Sequence, residues 1–169
     1  MEQNGVRFLA VSGVIVAMQA LRGNGKRLNP CVFMAQVEDD DGNTFDFMIT
    51  PNTYVADEVK LTEGMDCTFW YRADSPAVLM YPPRYQAAVV AERRTDRFVD
   101  VGFFNFQLIN EEKTLQLRPN LDTIMETVNH QTYFGNPANH ELVVFYQSAT
   151  KSRPAKTTPY KIVVLCFNP

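Results

Sequence analysis

The sequence predicts an all-β chain in two related halves, and three observations carry that prediction. The segment Cys67 to Ala91 returns, altered and without a gap, as Leu142 to Cys166: Tyr71 matches Tyr146, Tyr85 matches Tyr160, Val89 matches Val164, and Ala73 to Arg84 matches Ser148 to Pro159. The apolar runs are short and rich in β-branched and aromatic residues, and some alternate with polar ones as half-buried strands do. Between them stand Gly, Pro, Asn and Asp, whose backbone preferences favour turns. The charged stretch Glu92 to Arg97 separates a first half, 1–94, from a shorter second half, 95–169.

At 169 residues, 46% apolar and 21% charged, the chain suffices for one ordinary domain or two small ones with a packed core. A net charge of -3 gives no global attraction for nucleic acid or an anionic membrane, so such binding needs a local patch. Cys31, Cys67 and Cys166 are odd in number, widely spaced and set in apolar runs. They are expected as buried free thiols rather than disulfides or zinc ligands. At the N-terminus Arg7 is offset by Glu2 and no run of about 18 apolar residues follows, so neither a secretory signal nor a membrane span is expected. The default address is cytoplasmic.

Phe8 to Leu21 suits a long strand that bends at Gly13, although Val14, Ala17, Met18 and Leu21 also share a helical face. Residues 22–30, RGNGKRLNP, form a basic loop. Cys31 to Glu38 and Thr44 to Thr50 make a β-hairpin, the second arm alternating Phe45, Phe47 and Ile49 with polar or softer positions. The acidic run between them, Asp39 to Asn43, lacks calcium-loop spacing and a closing glutamate, and is expected as a solvated turn. Thr53 to Gly64 is a polar crossover with a short helical turn, followed by strands Met65 to Arg72 and Arg84 to Glu92. In the second half, Phe104 to Leu108 parallels Phe33 to Val37, and Leu115 to Asn120 parallels Phe47 to Asn52. Extra residues lie around Asn129 to Asn139, and no separate counterpart of the long first strand is visible.

A long first strand, a hairpin, a crossover and two further strands over residues 6–92 resemble the OB-fold, a five-stranded Greek-key barrel. The resemblance implies two tandem OB-like halves with short helical crossovers, packed together because an open edge needs cover. The segment Tyr81-Pro82-Pro83-Arg84-Tyr85 and the ending Thr158-Pro159-Tyr160-Lys161-Ile162-Val163-Val164-Leu165-Cys166 are similar to those of small uncharacterised proteins of Gram-positive anaerobes. That likeness implies a shared fold and no activity.

Catalytic signatures are missing from the sequence. His130 and His140 have no acidic or thiol partner at ligand spacing, and no zinc-protease, nucleophile-elbow, P-loop or dinucleotide motif occurs. No enzyme activity, metal or cofactor is expected. A binding face is. In an OB-like frame the flanking loops are 22–30, with Arg22, Lys26 and Arg27, and 73–84, with Val78, Leu79, Met80, Tyr81 and Arg84. Trp70 and Arg72 share a strand face with Thr68, and the repeated loop 148–159 carries Lys151, Arg153 and Lys156. A stiff apolar loop between prolines, Ser75 to Pro83, favours a protein or peptide partner, or self-association, because it loses little entropy on docking. A ring beside guanidinium groups is the alternative, a platform for single-stranded nucleic acid.

Overall fold

A computed structural model describes residues 7–22, 28–74 and 80–166, except for the side chain of Arg22, and the described chain is all-β with several sheets. No helix among the described residues is long and apolar enough to cross a membrane. The chain divides into two units, Phe8–Arg93 and a second that starts at Arg94 and takes in Arg7.

The first unit holds β1 (Phe8–Arg22), β2 (Leu28–Asp39), β3 (Thr44–Ile49), β4 (Tyr54–Val55), a 3-10 turn (Ala56–Glu58), β5 (Asp66–Arg72), β6 (Arg84–Gln86) and β7 (Val89–Glu92). Their order in the sheet is β4-β7-β5-β1-β2-β3-β6, with β1 antiparallel to both β2 and β5. A Cβ at Gly13 would stand 2.3 Å from the Glu38 carbonyl oxygen, so the close approach of β2 to β1 requires glycine there. Residues 28–30, expected in a loop, instead extend β2, with Leu28 opposite Arg22 and Asn29 opposite Leu21. The turn Asp39 to Asn43 uses its own oxygens: the Asp39 carboxylate accepts from the Asp41 and Asn43 amides at 3.0 and 2.8 Å. Arg93 engages Asp40 at 3.4 Å and Asp66 at 2.7 Å, which leaves this cluster a braced turn.

Two short strands connect opposite ends of that sheet. β6 runs parallel to β3 while β7 runs antiparallel to β5, and only Ala87 and Ala88 separate them. The Ala87 amide donates to Met48 O and the Ala88 amide to Trp70 O, so the sheet curls until its ends share one chain path. Ile15, Val37, Phe47, Phe69 and Val90 fill the inside with the Cys67 side chain. Phe47 stacks on Phe69 at 4.7 Å, and Tyr71 on Tyr85 at 4.0 Å. Each fully buried side chain of this size contributes roughly 1.5–3 kcal/mol.

The second unit holds β8 (Phe98–Phe104), β9 (Leu115–Leu117), β10 (Ile124–Thr127), β11 (His140–Tyr146), β12 (Ala155–Thr157) and β13 (Lys161–Val164). They form a sheet of order β10-β13-β11-β8 and a β12-β9 pair. The long first strand does have a counterpart by pairing, contrary to expectation: β8 runs antiparallel to β11 as β1 does to β5. Phe104 to Leu108 therefore does not continue as a second strand, and the place of β2 is reduced to bridges Phe104 to Asn110 and Ile109 to Gln116. Side-chain competition explains the loss. Asn105 Oδ1 accepts from the Gln107 and Ile109 amides, and Asn110 Oδ1 from those of Thr114 and Leu115, so these turns replace a ladder.

The remaining pairings recur. β9 is parallel to β12 as β3 is to β6, and β10 is parallel to β13 as β4 is to β7. Thr53 Oγ1 donates to Ala87 O at 2.7 Å, and Thr123 Oγ1 to Pro159 O at 2.7 Å. The Tyr160 amide bonds Phe145 O, where the Ala88 amide bonds Trp70 O. Tyr160 thus answers Ala88 rather than Tyr85, and the gapless match fails beyond the loop, which is three residues shorter in the second unit. An odd shift exchanges strand faces, so the pairing of Val89 with Val164 fails too: Val90 packs in the first core, Ile162 and Val164 in the second.

The cysteine expectation needs correction as well. All three thiols are free, but Cys31 and Cys166 are exposed, because Cys31 lies in the solvated start of β2 and Cys166 beyond the end of β13. Cys67 alone is buried.

Candidate binding surfaces

The connection after β5 presents its far end to solvent. Leu79, with Val78, lies outside the described residues; Met80 is exposed and Tyr81 keeps 84% of its surface accessible. The Tyr81–Pro82 peptide bond is cis. Arg84 opens β6 opposite Asp46, half-buried, and its Nε is buried with no hydrogen-bond partner among the described residues. Of the basic loop 22–30, Lys26 and Arg27 lie outside the described residues, as does the Arg22 side chain.

The face expected of β5 forms, but its ring is covered. Thr68 shares a 2.7 Å hydroxyl contact with Ser12, and Cys67, Phe69 and Tyr71 point the other way into the core. Trp70 retains only 7% exposure, so it is no platform for an unpaired base. The Arg72 guanidinium sits 4.8 Å over the Phe8 ring, a stabilising contact inside the unit rather than a free phosphate ligand. Phe145, the matching position in β11, is fully buried beneath Lys161 Nζ at 4.6 Å and the Arg97 guanidinium at 5.4 Å.

The loop 148–159 is braced from within. The Thr150 amide donates to Lys156 O at 2.9 Å, the Lys156 amide to Thr150 Oγ1 at 2.8 Å, and Ser152 Oγ to Pro154 O at 2.9 Å. Lys151 and Arg153 project from this frame into solvent, whereas Lys156 is half-buried in β12. The two cations are thereby presented without a large ordering cost. The histidines are spent locally: His140 Nδ1 lies 2.8 Å from Ala138 O with its ring edge-on to Tyr133, and His130 occupies a turn at φ 65°. Among the described residues no three His, Cys, Asp or Glu side chains gather as a metal site.

One group escaped the sequence reading. Asp100 lies in FVDVGFF, where period-two alternation puts it on the same face as Phe98, Gly102 and buried Phe104. Burial pushes its carboxyl up to about 6, aided by nearby Glu112 and opposed by hydrogen bonds from the Val101 amide and Asn110. A carboxylate at an inward strand position was the available signal. In comparisons with known proteins, the chain matches no family model, no curated protein and no solved structure.

Proposed function

We propose that this protein is a non-catalytic binding or assembly module that recognises a protein or peptide partner through the connections 22–30, 73–84 and 148–159, working in the cytoplasm. The observation that carries the reading is Tyr81: a large ring 84% exposed, beside exposed Met80 and ahead of two prolines, on a connection anchored at both ends by strands. Aromatic and methionine side chains of this kind anchor interfaces. The braced cations Lys151 and Arg153 add a charged element that favours an acidic partner. Three unpaired thiols agree with a reducing compartment. Replacing Met80 and Tyr81 together by Ser is expected to abolish a partner or self-association detected by pull-down and light scattering, with the circular dichroism spectrum retained. Unchanged assembly sinks the reading.

The alternative, single-stranded nucleic-acid binding, draws support from Lys151 and Arg153. It loses support from the burial of Trp70, the ring expected to stack on a base. Oligonucleotide titration separates the two, since phosphate-driven binding weakens steeply as salt rises.

For the architecture we infer two OB-like units descended from one duplicated β unit, a plan similar to that of the small proteins of Gram-positive anaerobes. Support comes from the curled sheet order of the first unit and the recurring pairings of the second. A β-solenoid is the second reading, favoured by the four parallel pairs β3/β6, β4/β7, β9/β12 and β10/β13. A crystal structure distinguishes them by whether each unit's sheet closes on itself as a barrel or stacks as successive coils.

A further inference from the structure

We propose that the second unit binds a small organic cation, a primary ammonium or guanidinium group, in a recess on the inner face of β8 formed by Asp100, Phe98 and Tyr146 and opened by Gly102. The register places Phe98, Asp100, Gly102 and Phe104 opposite Tyr146, Val144, Leu142 and His140, on the face that carries the unit's core. Phe98 and Tyr146 stack at 5.4 Å and 25°, and Phe98 is 56% exposed, so the ring pair stands at the solvent end of that face. Asp100 comes next inward, half-buried, with one oxygen accepting from the Val101 amide at 2.9 Å.

Gly102 supplies the room. A Cβ there would meet nothing within 4 Å, while at Gly13, the corresponding position of β1, the backbone of β2 fills the space. The recess therefore follows from the reduction of the β2 counterpart to two bridges. In the first unit the position of Asp100 is held by Val11, packed against the core. The second unit has a carboxylate where the first has an apolar packing residue, and two bridges where the first has a full strand.

The electrostatics select the ligand. Asp100 faces Glu112, whose ion pair with Arg7 at 3.6 Å is solvent-exposed, and Asn110 and the Tyr146 phenol complete its polar surroundings. Burial and Glu112 hold the Asp100 carboxyl up to about 6, and burial and then Asp100 raise the Tyr146 phenol. A cation relieves both penalties, an anion worsens them, and ring faces add attraction for the cation. None of the residues in the connections proposed above to meet a protein partner takes part, so the two readings stand or fall separately.

The experiment is a backbone-amide and aromatic NMR titration of the intact protein with n-butylammonium and with methylguanidinium, using n-butanol as the neutral control. Saturable shifts at Asp100 to Gly102 and at the Phe98 and Tyr146 rings are expected for the cations alone. Affinity should fall about tenfold for Asp100→Asn, and likewise from about pH 7.5 to about pH 5 as the carboxylate takes up its proton. Gly102→Val, for which there is room, fills the recess and should keep the folded spectrum while abolishing the shifts. Equal shifts with n-butanol, shifts confined elsewhere, or affinity retained by Asp100→Asn or Gly102→Val overturn the proposal.

Discussion

Half-buried Asp100 and buried Cys67 show how one desolvated titratable side chain leaves a measurable trace. The folded carboxyl of Asp100 titrates at about 6 against 3.8 for the ordinary group, so between those values the native state holds more protons than the unfolded chain. Stability must then fall as pH rises through that window and stay lower above it, the reverse of the usual salt-bridged aspartate. Asp100→Asn is expected to raise the melting temperature near neutral pH, by up to roughly 3 kcal/mol in stability, and to change little near pH ~4. An equal effect at both values would show that the carboxylate's charge carries no penalty. Cys67 is the second case. Burial raises its thiol to about 11, with Glu92 and Asp66 adding to the shift, while Cys31 and Cys166 stand at the surface. A thiol reagent near neutral pH should therefore modify Cys31 and Cys166 quickly, and Cys67 only on unfolding; fast reaction of Cys67 would contradict its burial.

At the level of strands, glycine decides how closely two neighbours approach. Gly13→Ala forces a Cβ to 2.3 Å from a backbone oxygen that cannot step aside, and should cost roughly 3 kcal/mol in urea denaturation. Gly102→Ala meets open space at the corresponding position and removes backbone freedom from the unfolded chain, so it should be neutral or stabilising by about 0.5 kcal/mol. Equal costs at the two sites would show that Gly102 does not face open space. The same contrast explains what was legible beforehand. Alternation along Thr44 to Ile49 and Asp66 to Arg72 is a property of neighbouring residues, and it sorted Phe45, Phe47, Phe69 and Tyr71 onto their faces. Partner choice depends on residues far along the chain. Nothing local in Phe98 to Phe104 announces that it pairs with β11, and the Asn105 and Asn110 side-chain bonds, with the backbone turn bonds around them, replace a ladder beyond Phe104. The three-residue shortening of the second loop was hidden for the same reason: Tyr160 and Tyr85 look alike, and the bond from the Tyr160 amide to Phe145 O is what reassigns them. Among the candidate site residues, Tyr81, Lys151 and Arg153 reach solvent as loop residues should, whereas Trp70 failed because a lone strand tryptophan has more to gain from burial.

Across the molecule, each unit carries a hydrophobic cluster of its own among the described residues. One gathers Ile15, Val37, Phe47 and Phe69 in Phe8–Arg93, and the other Phe104, Leu142, Val144 and Ile162 beyond Arg94. Aromatic rings dominate the first, with Phe47, Phe69, Tyr71 and Tyr85 in successive contact, while β-branched and leucine side chains dominate the second. Truncation in either core leaves a cavity whose cost depends on how far its own neighbours collapse. Phe69→Ala should therefore cost about 3–5 kcal/mol and Val144→Ala about 2 kcal/mol, each by lost burial plus the residual void. Because Phe69 and Val144 fall in clusters that share no member among the described residues, the double substitution should cost the sum of the two to within about 0.5 kcal/mol when unfolding is followed by denaturant titration. A clear departure from that sum would mean that the two positions are coupled, and that Phe69 and Val144 do not draw on independent packing.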